Sequence, residues 1–280
     1  MKAPRFDYER PESLSEAVGL LQHWNGSAKA LAGGQSLVPM MNLGLAKPDL
    51  IIDLNGIPDL KRVEDEGDHL FVGAAITHAA IEDGKLPDTT LGMLRRVAAG
   101  IASRGIRNRG TIGGNLAHAD PAADWSAALL ALGAEARVIG AAGRRAVALS
   151  DFFLGVFTTA LRPDELLEGI MVPRLSHRAR WYYYKIHRAA NASADAIGAV
   201  VVDPERGFCR VVLSGAKYIP LNLPVLANQL SGTDGVDFAS KFELGQAIEV
   251  VTQSGLGSDS IEAQVYATVL CRAVKGALAK

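Results

Sequence analysis

The chain has 280 residues, 49% hydrophobic and 21% charged, with 29 basic and 30 acidic side chains. This is a globular composition with ample apolar material for a core, at a length that suggests two domains. The net charge of −1 removes any general pull toward nucleic acid or an anionic membrane. Two isolated cysteines, Cys209 and Cys271, exclude a disulfide framework and any iron–sulfur or zinc site built from this chain's thiolates alone. No run reaches the roughly 18 apolar residues of a spanning helix. Met1 to Phe6 has no apolar core resembling a signal peptide, so a cytoplasmic location is expected.

In chain order, Pro4 to Glu9 reads as a short extended segment. Ser13 and Glu16 have capping-box spacing, and Leu14, Ala17, Val18 and Leu21 recur at helical spacing, predicting a helix to about Trp24. A strand at 28–32 runs into Gly33-Gly34, and a second at 50–54 stops at Asn55-Gly56 after an irregular or helical link. Another strand is expected at 70–76. Helices are expected around 89–102 and 121–132, on either side of a glycine-rich stretch from Gly105 to Asn115. Residues 134–139 and 145–149 read as a hairpin across Gly140 to Gly143. Beyond 172 the pattern changes to antiparallel strands at 180–185, 197–202 and 209–213, the last two joined by Pro204 to Gly207. Periodic helices follow at 223–231, 238–251 and 261–278. The division is therefore an α+β module over 1–172, itself split into about 1–56 and 57–172, followed by a sheet-plus-helices module over 173–280.

Two stretches carry the chemistry. The first is Ala32-Gly33-Gly34-Gln35-Ser36-Leu37 and the second is Thr111-Ile112-Gly113-Gly114-Asn115. Paired glycines permit positive φ and close approach of a ligand to the backbone. Successive N–H groups can then converge on a phosphate, with Gln35, Ser36, Thr111 and Asn115 as neutral donors beside them. Ordinary tight turns would have the same glycines. Other nucleotide fingerprints are absent. No GxGxxG follows a strand, and Gly105 to Ile112 has Walker-like spacing with Thr111 and Ile112 where lysine and a hydroxyl are required.

Ala32 to Asn42, Pro48 to Asn55 and Arg109 to Asp124, in that order and separation, closely resemble the FAD-binding medium subunits of the xanthine dehydrogenase and carbon monoxide dehydrogenase family. The resemblance runs from about Phe6 to the C-terminus, on pattern alone in the last third. It implies an α+β fold: a PCMH-type FAD-binding domain of two α+β subdomains, plus a C-terminal domain of antiparallel sheet and helices. It also implies FAD on this chain, [2Fe-2S] clusters on a small partner subunit and molybdopterin cofactor on a large one, with electrons leaving through the flavin to an external acceptor. A dimer of heterotrimers is the expected assembly.

Carried over by position, the resemblance places Leu31, Ala32, Gly33, Gly34, Gln35, Ser36 and Leu37 at the first diphosphate turn. Thr111, Ile112, Gly113, Gly114 and Asn115 form the second. Asp124 matches an aspartate that hydrogen-bonds FAD hydroxyls, although a carboxylate at a helix N-terminus also explains it. Leu167 matches a flavin contact. Lys185 matches a lysine near the isoalloxazine, where its charge would stabilise reduced flavin; a solvated strand end is the alternative. Where many carbon monoxide dehydrogenase-type relatives carry an acidic residue and an aromatic over the flavin, this chain has Ala192 and Ser193, with Asp195 and Tyr183 as substitutes.

Other features weigh less. His118 and Asp120 have no triad partners, and His69, His78, His177 and His187 lack metal spacing. Arg104, Arg107 and Arg109 approach a phosphate or a partner, or form a solvated loop. The sequon Asn191-Ala192-Ser193 has no secretion signal to give it meaning. No catalytic or metal residue is expected here. Two competing classes are a self-sufficient FAD-dependent oxidase or dehydrogenase of PCMH-type fold and a non-catalytic nucleotide-binding module.

Overall fold

The computed structural model describes residues 2–189, 192–231, 235–257 and 259–279; Asn191, and with it the sequon, lies outside the described residues. The chain opens with β1 (Asp7–Glu9), α1 (Leu14–Trp24), β2 (Ala28–Leu31), α2 (Leu37–Asn42) and β3 (Leu50–Asp53). The three strands form a small parallel sheet in the order β1-β3-β2. α1 forms where the spacing predicts it. The Ser13 side chain accepts from the Glu16 N–H, and Leu14, Ala17, Val18 and Leu21 are its buried face. The Glu16 carboxylate accepts from the Glu12 N–H, one residue earlier than a capping box requires.

A larger unit follows: β4 (Val63–Asp65), β5 (His69–Gly73), α3 (His78–Glu82), α4 (Met93–Ala99), α5 (Arg104–Arg107), α6 (Ile112–His118) and α7 (Asp124–Leu132). It continues with β6 (Glu135–Gly140), β7 (Gly143–Ala148), α8 (Leu149–Phe152), β8 (Phe153–Gly155), β9 (Thr158–Thr159) and β10 (Leu166–Pro173). Five of these strands make an antiparallel sheet in the order β4-β5-β10-β6-β7. The helix expected at 89–102 is shorter, because Asp88 and Thr90 side chains accept the N–H groups that open it. The central strand β10 has no sequence signal of its own. Its apolar run is broken at Glu168-Gly169, where a bulge shifts the register with β6. Glu168 is 1% exposed and is held by Arg62 at 3.2 Å and Arg144 at 2.9 Å.

α7 is buried along its whole length, and its alanines let it pack closely between layers. It meets the two middle strands of the last sheet, so the larger core cluster includes Ile197, Ala199, Val201 and Val212. That sheet comprises β11 (Arg180–Ile186), β12 (Ala196–Asp203), β13 (Phe208–Gly215) and β14 (Tyr218–Asn222), antiparallel and in sequence order. Helices α9 (Pro224–Ser231), α10 (Gly235–Lys241), α11 (Leu244–Gln253) and α12 (Ser260–Leu278) complete the chain. The periodic stretch expected as one helix over 238–251 is two. Glu243 starts the second with a capping box to Gln246, and capping geometry prevents it from continuing the first. The whole is an α+β architecture. Among the described residues, no helix is long and apolar enough to cross a membrane.

Candidate cofactor site at the paired glycine corners

The first corner leaves β2 at Leu31 and turns through Gly33-Gly34 into α2. Gly34 has φ +73°, a conformation that only glycine adopts without strain. Among the described residues, the backbone N–H groups of Gly33, Gly34, Gln35 and Ser36 find no acceptor in the protein. The two carbonyls of the same corner are occupied. Ala32 O accepts from Asn55 Nδ2 at 3.0 Å, and Gly33 O accepts from Gln35 Nε2 at 3.0 Å. In a trans peptide C=O and N–H point oppositely, so oxygens tied on one side leave N–H groups facing the other. Gln35 and Ser36 are exposed beside them.

The second corner departs from the sequence expectation. Thr111 is the N-cap of α6, and Ile112 to Asn115 lie within that helix. Neither Gly113 nor Gly114 has positive φ. The N–H groups of Ile112, Gly113 and Asn115 go to Ile76, Ala74 and Thr111 carbonyls, and that of Gly114 to Thr111 Oγ1. No row of backbone donors remains there. The glycines serve close approach instead: a Cβ on Gly113 would lie 2.4 Å from that of Ala74. The polar groups left over are side chains. Thr111 Oγ1 accepts from Gly114, which frees its hydroxyl proton to donate, and Asn115 Oδ1 is buried with no partner.

The two corners meet. A Cβ on Gly33 would stand 2.2 Å from Arg109 O and 2.7 Å from Gly110 Cα, and one on Gly114 would stand 3.4 Å from the Ala32 Cβ. Behind the contact lies His78. Its N–H donates to Gly110 O at 2.9 Å, and its Nδ1 accepts from Trp125 Nε1 at 3.0 Å. Burial, with Arg107 adding to it, lowers the imidazole to about 4. His78 is therefore neutral at physiological pH, as an acceptor facing an indole N–H must be.

Two of the remaining expected residues, Asp124 and Lys185, meet at the start of α7. Asp124 Oδ1 accepts from Lys185 Nζ at 2.7 Å and from the Tyr183 hydroxyl at 2.6 Å. Lys185 also donates to Gly100 O at 2.8 Å. Lys185 is thus a half-buried ion-pair partner of Asp124. Asp124 is both the first residue of α7 and that partner, and its Oδ2 has no acceptor role among the described residues. Burial, reinforced by the neighbouring carboxylate, holds the Tyr183 phenol well above its ordinary value. Leu167 is buried in β10, one residue before the bulged Glu168, whose carbonyl accepts from Ala74; Ala74 in turn accepts from Gly113.

Of the arginine cluster, Arg104 and Arg107 are spent on Glu82 and Asp83, leaving Arg109 exposed beside the first corner. Asp195 is paired with Arg188 at 3.3 Å, and the His118 ring packs tilted against Phe157 with centroids 5.0 Å apart. Sequence reasoning missed Asn55 and His78 as supports of the corners. The only local signal was Asn55-Gly56 ending a strand.

Four unpaired N–H groups beside the Thr111 hydroxyl are a donor set that suits an anion such as a nucleotide diphosphate, while the orphaned Asn115 Oδ1 is an acceptor that suits a hydroxyl or N–H donor. The chemistry of this donor set fits FAD. Residues 4–175 match the family described as FAD binding domain in molybdopterin dehydrogenase. The chain is 34% identical over 281 residues to the carbon monoxide dehydrogenase medium chain of Afipia carboxidovorans, covering 98% of this chain and 97% of that one. It is 31% identical to the caffeine dehydrogenase subunit beta of a Pseudomonas species, over 98% of this chain and 95% of that one. Its fold superposes on a chain of CO dehydrogenase from Oligotropha carboxidovorans with TM-score 0.89, 33% identity and coverage of 100% and 99%. The chain belongs to the FAD-binding medium subunits of the molybdenum hydroxylases.

Proposed function

We propose that this chain is the electron-transfer subunit of a heteromeric, cytoplasmic molybdenum hydroxylase. It takes electrons from [2Fe-2S] clusters of a small partner subunit, supplied from the molybdopterin cofactor of a large one, and passes them to an external acceptor. Full-length similarity to medium chains supports this reading, and a dimer of heterotrimers is the assembly we expect. The FAD-binding unit ends near residue 172, and 173–280 forms the second domain.

Bound FAD supplies two-electron redox chemistry; the protein's part is to hold, orient and tune it. The N–H groups of Gly33 to Ser36, flanked by Leu31, Ala32 and Leu37, hold one side of the diphosphate. Thr111 and Asn115 contribute side-chain hydrogen bonds, and Ile112, Gly113 and Gly114 let α6 come close. The free Oδ2 of Asp124 accepts a cofactor hydroxyl. The Lys185 ammonium, fixed by Asp124, provides positive charge, and Leu167 an apolar contact. The observation that carries the reading is the row of unpaired N–H groups at 33–36 against the second corner.

The test is expression of the chain by itself. We expect non-covalent FAD in the absorption spectrum and no turnover of N-heterocycles or aldehydes without partner subunits. Steady oxidation of either by the isolated chain contradicts the subunit assignment.

A further inference from the structure

The structure assigns a positioning role to Asn55: we propose that its side-chain amide sets the orientation of the first glycine corner and so controls affinity for the diphosphate of FAD. The inference rests on the FAD reading above and deepens it, because Asn55 is placed to touch the corner's backbone from behind.

Asn55 follows β3 in a one-turn 3-10 helix (54–56) and is half-buried. Asp53 Oδ1 accepts from the Asn55 backbone N–H at 2.9 Å and from Nδ2 at 2.6 Å, while Asp53 Oδ2 accepts from the Tyr8 hydroxyl at 2.5 Å. Nδ2 also donates to Ala32 O at 3.0 Å. The orientation of the amide follows from chemistry. An ionised carboxylate only accepts, and so does a carbonyl, so the group facing both must be the NH2 end. Burial pushes the Asp53 carboxyl up, but hydrogen bonds from Tyr8 and Asn55 together bring it below its ordinary value. Asp53 therefore stays ionised and keeps the amide turned toward Ala32.

The Ala32 carbonyl and the Gly33 N–H belong to one planar peptide. Glycine on one side of that peptide leaves its rotation weakly restricted, and a free carbonyl turned toward the diphosphate would repel it. Asn55 removes that alternative by holding the oxygen on the β3 side, which commits the Gly33 N–H to the opposite side. Gln35 does the same for the next peptide from within the corner, through Gly33 O. Asn55 acts from 23 residues away and ties the corner to the sheet. The chain Tyr8–Asp53–Asn55–Ala32 thus links β1, β3 and the turn after β2 in one hydrogen-bonded path.

The test uses the full-length chain stripped of flavin, with Asn55→Ala and Tyr8→Phe. Dissociation constants are measured for FAD, for ADP (the diphosphate without the flavin) and for riboflavin (the flavin without phosphate), together with apoprotein melting temperatures and the 31P spectrum of bound FAD. Asn55→Ala is expected to weaken FAD and ADP by the same factor, about tenfold for a corner that must be ordered on binding. Riboflavin affinity stays put, the apoprotein melts somewhat lower because Asp53 and Ala32 lose a donor, and the 31P resonances of bound FAD shift. Tyr8→Phe, which frees Asp53 while keeping the amide, gives a smaller loss of the same kind and decides the matter if Asn55→Ala does not fold. Unchanged FAD affinity in the folded variants overturns the proposal. So does equal weakening of all three ligands with unmoved 31P resonances, which marks a purely structural role. If the parent chain binds no FAD at all, the FAD reading itself fails and the proposal falls with it.

Discussion

Gly33→Ala perturbs the contact between the two corners while keeping every backbone N–H of the proposed donor row. Gly33 has no positive φ, so the alanine brings no backbone strain and the effect is steric. The added Cβ would stand 2.2 Å from Arg109 O, where ordinary contact begins at 3.4 Å, and the three nearest atoms, Arg109 O, Arg109 C and Gly110 Cα, are backbone and cannot rotate away. The corners must part by about 1 Å, an overpacking that costs the apoprotein about 1–3 kcal/mol. Parting them also separates the N–H row from Thr111 and Asn115. If one phosphate can no longer span the N–H row and the Thr111 hydroxyl, about two hydrogen bonds to charged oxygens are lost, at about 1.5 kcal/mol or more each, which weakens FAD about 100-fold. Gly67→Ala is the control: φ is +77° with nothing within 4 Å, so it costs stability through backbone strain and leaves FAD affinity alone. Titration of the flavin-free proteins followed by fluorescence, alongside thermal melts, reads both effects. A Gly33→Ala protein that binds FAD as tightly as the parent refutes the reasoning that the corners share one ligand.

Other consequences follow from the groups around the corners. Lys185→Met leaves Asp124 buried with only the Tyr183 hydroxyl, and removing one partner of a buried pair is expected to cost about 3 kcal/mol in chemical denaturation; a loss under half that would mean water screens the pair. His78 has a folded value of about 4 against 6.5, so the unfolded chain binds the extra proton first. Stability is then full above pH 6.5 and falls as pH drops toward 4, by about 2 kcal/mol at pH 5. His78→Gln should flatten that part of the profile, and an unaltered pH dependence would assign it elsewhere. Asp53, with its lowered value, acts further down the scale. Its contribution is complete above the ordinary carboxylate range and is lost as pH falls through its own folded value, so flavin release in acid should come later than the His78 loss.

How much of this was legible in the sequence depends on how local each signal is. α1 was readable because its cap and its buried face lie within eleven residues. β2, β3 and the β6–β7 hairpin were readable because apolar runs end at glycines. The glycine pairs marked the right places for a partly wrong reason. Gly34 needs positive φ, but Gly33 and Gly113 are required by contacts with Arg109 and Ala74, which no local pattern reveals. β10 was hidden because a strand buried on both faces loses its alternation, and its one charge, Glu168, is neutralised by arginines 106 and 24 positions away. The Asp124–Lys185 pair, 61 positions apart, was expected as two separate cofactor contacts; that the two residues touch each other is set by α7 packing against β12 and β13, the sheet that β11 extends. Asn55 resembled an ordinary strand-ending turn, since nothing in Asn-Gly says that its amide reaches Ala32.

The central claim, that the backbone donors at 33–36 receive the FAD diphosphate, is tested most directly by amide hydrogen exchange of the full-length chain with and without FAD. The account predicts strong slowing at Gly33, Gly34, Gln35 and Ser36, with little change at Ile112 to Asn115, whose N–H groups are already bonded within the protein. Exchange at 33–36 that FAD leaves untouched would contradict it.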